Sequence, residues 1–231
     1  MSRNDRRIYT IRYRWPAVYG GRVSRLGADC YQESEFMNIT KDHWLEGVKK
    51  DRIPGGSPMP IRRFLVIHYT QGASAQSSVN FWKTPAAKGA SAHIVIDRDG
   101  SIIQCRPFNV VCGHAGKSKW KGFDGLNSCS IGIELANAGD DAKLASRWTK
   151  LPLVKARHKN GGPITEWEAY PQAQVKACTE LAKALVERYN LDDVIGHEDI
   201  APLRKVDPGP AAEKWMEDLR VACGFPAEIK A

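Results

Sequence analysis

The stretch Gly196-His197-Glu198-Asp199-Ile200-Ala201-Pro202-Leu203-Arg204-Lys205-Val206-Asp207-Pro208-Gly209-Pro210 constrains this chain more than any other. Its prolines and glycines make it a rigid turn, and on that turn it fixes an imidazole (His197), an ammonium (Lys205) and a carboxylate (Asp207). Such groups can build a hydrolytic zinc site, in which three nitrogen, oxygen or sulfur ligands hold the ion and a fourth position stays open to water. His197 and Asp207 supply two ligands, so the third must come from a distant part of the chain. His68 is the best candidate, because it ends the apolar run Phe64-Leu65-Val66-Ile67, where a side chain emerges at the edge of a buried strand.

The pattern around these residues is that of an α/β domain. Residues 64–69 read as a strand and residues 77–83 as a helix. Residues 92–97 and 101–105 read as two strands joined by a turn at Arg98-Asp99-Gly100, whose glycine can take positive φ. Residues 130–137 form another apolar strand. Residues 171–189 are the clearest helix, with Pro171 suited to its first turn and Val175, Cys178, Leu181, Leu185, Val186 and Tyr189 on one stripe. A short strand over 194–197 and a closing helix over 211–223, stopped by Gly224, complete a mixed central β-sheet flanked by helices.

Residues 1–60 are expected to be a basic attachment packed on the catalytic domain of residues 61–231. Residues 8–15 read as an exposed strand broken by Pro16, Gly20, Gly21 and Gly27, and Thr40 or Asp42 is placed to cap a short helix to about Lys50. The segment 138–170 holds Lys143, Arg147, Trp148, Lys150, Lys155, Arg157, His158 and Trp167, and reads either as one wall of a substrate groove or as a flexible insertion. His43 and His158 are expected on the surface.

Composition excludes several classes. With 231 residues the chain is long enough for a full core, and it has no run of about 18 apolar residues to span a bilayer. Its first residues are basic but lead into no apolar segment, so they do not read as a secretory signal, and the expected location as synthesised is the cytoplasm. The six cysteines, Cys30, Cys105, Cys112, Cys129, Cys178 and Cys223, show no CxxC spacing and read as small buried thiols. Nothing beside Cys129 supplies a base, so it has no catalytic role. Residues 1–63 hold 13 Lys/Arg against 7 Asp/Glu, which puts +6 of the net charge of +8 in that region. The excess suits an anionic neighbourhood, but no zinc-finger spacing, aromatic RNA-binding signature or basic helix accompanies it, so no specific nucleic-acid partner is expected.

His68 in Val-Ile-His-Tyr-Thr, Ser91-Ala92-His93, His114-Ala115-Gly116, Asn127-Ser128-Cys129-Ser130-Ile131-Gly132-Ile133-Glu134-Leu135 and the 196–210 stretch follow one another in a recognisable order. That order resembles the zinc-dependent N-acetylmuramoyl-L-alanine amidases of the type 2 group, which share a fold with peptidoglycan recognition proteins. The resemblance covers about residues 61–222. It implies one Zn²⁺ held by His68, His197 and Asp207, with Glu134 as catalytic acid/base and Lys205 as the stabiliser of the developing oxyanion. It further implies a cleft in which His93, His114 and Asn127 contact substrate. The substrate it implies is peptidoglycan or a muropeptide, cut between the lactyl group of N-acetylmuramic acid and L-alanine. Two settings fit, an endolysin released to the wall at lysis and a muropeptide-recycling enzyme. A non-catalytic peptidoglycan-binding protein of the same fold is the rival reading, and retention of all three ligands together with Glu134 argues against it. No membrane insertion is expected, and the oligomeric state stays open.

Overall fold

The computed structural model describes residues 37–229; the strand expected over residues 8–15 and the break that follows it lie outside them. The described elements run β1 (Lys49–Lys50), β2 (Phe64–Tyr69), α1 (Ala75–Trp82), β3 (Ile94–Ile96), β4 (Ile102–Gln104), β5 (Lys119–Trp120), β6 (Phe123–Asp124) and β7 (Ser130–Leu135). They continue with α2 (Ala142–Trp148), β8 (Leu153–Arg157), β9 (Ile164–Glu168), α3 (Gln172–Tyr189), β10 (Asp193–Gly196), α4 (His197–Ile200) and α5 (Glu213–Ala222). Six strands form a mixed sheet in the order β1-β4-β3-β7-β2-β10, parallel throughout except where β3 meets β4. This is the mixed sheet with helices expected from the sequence. Gly100 takes φ 87° in the β3–β4 turn.

Strand alternation sorts the sheet into two faces. Leu65, Ile67, Ile131, Ile133, Leu135 and Val194 pack with Cys178, Leu181, Ala182 and Leu185 of α3 and with Met216 and Leu219 of α5. Phe64, Val66 and Ile195 point the other way, onto Ala115, Trp120, Leu126, Ile200 and Ala201. The helical period of α3 meets the strand period of β2 and β7 across the first layer, which makes that face continuous core. The even-numbered positions at the C-terminal ends of β2 and β7, His68 and Glu134, are partners in register and therefore emerge side by side on the second face.

The sequence reading and the structure part over residues 37–60. No helix forms over residues 40–50. His43 and Gly47 adopt positive φ (63° and 72°), and the Trp44 N–H bonds the Thr40 hydroxyl at 3.1 Å, closing a turn. Residues 49–50 instead add a strand to the sheet edge, and Ile39, Leu45 and Met59 are buried in the main cluster. Residues 37–60 thus share the core of the residues that follow them, within a compact unit that starts at Glu35.

The 138–170 segment is not a structureless loop. It holds α2 and the β8–β9 hairpin, anchored where the buried Glu168 carboxylate takes Nε and Nη2 of Arg98 at 2.5 and 2.9 Å. Among the described cysteines, Cys105, Cys112, Cys129 and Cys178 are buried and Cys223 is partly so. No helix of the described residues is long and apolar enough to cross a membrane.

Candidate metal centre

Three elements bring the candidate ligands together. His68 stands at the end of β2, His197 begins α4 directly after β10, and Asp207 follows ten residues later. His68 Nδ1 lies 2.9 Å from His197 Nδ1, and Asp207 Oδ2 lies 3.0 Å from each. All three side chains are buried. They are the one group of three or more His, Cys, Asp or Glu among the described residues with metal-holding spacing.

The surrounding hydrogen bonds decide what these atoms can do. His114 Nε2 faces the Ser130 carbonyl at 3.3 Å, and since a carbonyl can only accept, that nitrogen carries the proton. His114 Nδ1 is then an acceptor, and His68 Nε2 donates to it at 3.0 Å. His197 Nε2 likewise donates to the Ala115 carbonyl at 3.1 Å. Both Nδ1 atoms are left as bare lone pairs facing a carboxylate oxygen. Three acceptors within 3.0 Å of one another repel unless a cation stands among them, and two imidazoles with a carboxylate are a fitting donor set for one metal ion.

Electrostatics agree with that state. Burial, and then the neighbouring His197, push His68 down to about 4, so it stays neutral near pH 7.

A cleft of about 500 Å³ opens over the cluster, lined by His68, His114, Glu134, His197, Lys205 and Asp207 together with Trp82, Gln71, Asp140 and Arg204. Glu134 projects into it from β7. Burial, reinforced by the Asp207 charge and opposed by Lys205, raises its carboxyl well above the usual value. Its Oε2 is buried and has no hydrogen-bond partner among the described residues. A carboxyl that burial makes a weaker acid than usual, with one oxygen free of any partner among the described residues, can take up and deliver a proton. Lys205 is half-buried at the rim and forms no ion pair among the described residues, so its ammonium is free for a ligand.

Two expected substrate contacts are corrected. His93 is fully enclosed (0% exposed), with Nδ1 accepting the Gly132 N–H at 3.0 Å and Nε2 donating to the Val110 carbonyl at 2.9 Å, so neither nitrogen is left for substrate. Asn127 accepts the N–H groups of His114 and Ala115 on its Oδ1, at 3.0 and 2.7 Å, and holds that loop in place from outside the cleft lining. His114 does line the cleft, as expected.

Other contributors were not read from the sequence. Arg204 Nη2 donates to the Ala115 and Lys117 carbonyls, both at 2.8 Å, and braces the loop that receives His197. His158, expected on the surface, is buried and bonded through Nε2 to Glu198 Oε2 at 2.7 Å. His43 is partly buried against Tyr189, whose hydroxyl lies 2.8 Å from its Nδ1.

The family profile described as N-acetylmuramoyl-L-alanine amidase matches residues 57–210, which contain every one of these cleft residues. The chain belongs to that family. Among curated members of the amidase family it is 34% identical over 175 residues to N-acetylmuramoyl-L-alanine amidase AmiD of Escherichia coli K12, covering 71% of this chain and 55% of AmiD. It is 36% identical over 123 residues to 1,6-anhydro-N-acetylmuramyl-L-alanine amidase AmpD of the same organism, covering 52% of each. The chain therefore spans about half the length of these curated relatives. Among solved structures it resembles E. coli AmiD in complex with anhydro-N-acetylmuramic acid-L-Ala-D-γ-Glu-L-Lys. That match has 29% identity and TM-score 0.56, and covers 78% of this chain and 64% of AmiD. A selenomethionine derivative of AmpD matches with 26% identity and TM-score 0.56, over 79% of this chain and 99% of AmpD.

Proposed function

We propose that the chain is a zinc-dependent amidase that hydrolyses the amide between the lactyl carbonyl of N-acetylmuramic acid and the L-alanine of the stem peptide. The observation that carries this reading is the convergence of His68 Nδ1, His197 Nδ1 and Asp207 Oδ2 to within 3.0 Å of one another, beside a Glu134 carboxyl with one oxygen that has no partner among the described residues. One Zn²⁺ per chain, held by those atoms, would supply the Lewis acidity that makes water nucleophilic near neutral pH and polarises the scissile carbonyl.

The chain's own groups carry the protons and the charge. As water adds to the carbonyl carbon, Glu134 accepts its proton, and it returns that proton to the alanine nitrogen when the C–N bond breaks. The Lys205 ammonium, which pairs with no carboxylate among the described residues, balances the negative charge that grows on the carbonyl oxygen. His114 fixes the tautomer of His68 and lines the same wall.

AmiD and AmpD carry anhydro-muramyl substrates in their names or complexes, and this supports a soluble 1,6-anhydro-muropeptide as the first substrate to test. Intact sacculus, the endolysin setting, is the second. Incubating zinc-loaded protein with anhydro-N-acetylmuramyl-tripeptide should release free tripeptide, read by mass spectrometry. Glu134→Gln should keep its zinc and its fold and lose about 10²–10⁴-fold in kcat, the usual contribution of a positioned acid/base. No tripeptide release by a zinc-loaded, folded wild type would rule out the amidase reading, and near-normal turnover by the Glu134 variant would place the base elsewhere.

A further inference from the structure

Both ends of the ligand-bearing turn converge on Glu198. Its backbone N–H donates to the Asp207 carbonyl at 2.8 Å, and its Oε2 accepts the Gly209 N–H at 3.0 Å. This residue therefore ties the segment that begins with the His197 imidazole to the segment that carries the Asp207 carboxylate. Glu198 is only 6% exposed, and a buried carboxylate is stable only when donors fill its lone pairs.

Those donors come from the tip of the β8–β9 hairpin. The Asn160 N–H donates to His158 Nδ1 at 3.0 Å, which makes Nδ1 an acceptor and leaves the proton on Nε2, facing Glu198 Oε2 at 2.7 Å. Lys159 Nζ pairs with Glu198 Oε1 at 2.7 Å and with Asp199 Oδ1 at 2.6 Å. Asn160 Nδ2 donates to the Glu198 carbonyl at 3.0 Å. The hairpin is in turn pressed onto the same turn by Trp167, whose ring fills the space that a Cβ on Gly209 would need (2.7 Å) and lies 5.9 Å from the His158 ring. None of these hairpin residues lines the cleft over the metal cluster.

We propose that His158 is a positioning residue for the metal centre: by donating to Glu198 it holds His197 and Asp207 at ligand spacing, and so sets the metal affinity of a site it never touches. The inference rests on the amidase reading only in taking zinc as the ion. Partners of ligand residues commonly change metal affinity about 10–100-fold when removed.

The test measures zinc dissociation constants by chelator competition on the full chain, well below the melting point of each apo-protein, with circular dichroism as the fold control. His158→Ala should bind zinc about 10–100-fold more weakly. His158→Gln, whose amide nitrogen can donate from near the position of Nε2, should recover most of that loss. His158→Phe keeps a ring beside Trp167 without the donor, and reports on the hydrogen bond should the alanine variant not fold. A purely structural residue would lower the apo Tm and leave zinc affinity unchanged, so wild-type affinity in folded His158→Phe or His158→Ala overturns the proposal. If the affinity changes appear while no tripeptide is released by the wild type, the positioning role stands and the amidase reading falls. A wild type with no zinc affinity removes both.

Discussion

Gly132→Ala offers a sharp test of the hydrogen-bond chain behind the ligands. Gly132 lies in β7 with no positive φ, so alanine is compatible with its backbone and would by itself stabilise by about 0.4–1 kcal/mol through the unfolded chain. The space above it is already filled. A Cβ there would stand 2.6 Å from His114 Cγ, 2.7 Å from Nδ1 and 2.9 Å from Cδ2. The ring cannot slide away cheaply, because its two nitrogens face His68 Nε2 at 3.0 Å and the Ser130 carbonyl at 3.3 Å. Overpacking of this kind costs about 1–3 kcal/mol, so the clash outweighs the backbone gain by about 1–2 kcal/mol. For a unit of this size that lowers the apo Tm by roughly 2–8 °C. Displacing His114 also removes the acceptor that orients His68, which should weaken zinc about tenfold or more. Thermal melts with and without zinc, combined with chelator competition, read both effects. In a His114→Ala background the ring is gone, and adding Gly132→Ala should then cost almost nothing, giving a strong coupling between the two sites. A Gly132→Ala protein that melts at or above wild type with unchanged zinc affinity would refute the reasoning.

Other predictions follow from single groups. Lys205→Ala should reduce kcat about 10²–10³-fold with little change in KM, as for a group that acts on transition-state charge; a rise in KM alone in steady-state kinetics would assign it to ground-state binding. Burial holds His93 down at about 4, against 6.5 in the unfolded chain. The unfolded chain therefore takes up the proton first as pH falls, and the stability that a neutral His93 contributes above pH 6.5 is lost progressively down to pH 4, by up to about 3 kcal/mol. In the native protein its ring resonances should stay those of a neutral, Nε2-protonated imidazole at pH 5.5, and titration near 6.5 would contradict this. Residues 1–34 hold 7 Lys/Arg against 3 Asp/Glu, and their deletion should weaken binding to whole sacculi and flatten its salt dependence while sparing hydrolysis of a soluble muropeptide; unchanged sacculus binding at low salt would deny the segment that role.

The sequence by itself determined the elements whose signals are local. The apolar stripe of α3, the short apolar runs of β2 and β7 and the Gly100 turn need only their own residues to declare themselves, and they formed as expected. The candidate site was legible for a related reason: imidazole, ammonium and carboxylate on one proline-rich turn are scarce groups in a fixed order, and Glu134 interrupts an apolar strand. Tertiary structure decided what depends on partners far away in the chain. The expected helix at residues 40–50 gave way to a turn because His43 and Gly47 take positive φ, and because β4 offers an edge to which residues 49–50 can bond. His93 and His114 look alike in sequence, each a histidine beside small residues. Only the fold gives one of them two backbone partners and leaves the other facing His68 and the cleft. His158 sat in a basic stretch that reads as surface, since the acceptor that makes its burial favourable, Glu198, lies forty residues on and meets it only when the hairpin docks on the ligand turn. Period and composition fix where side chains can point, but the identity of the atom at hydrogen-bond distance is set by the packing of segments that the sequence keeps apart.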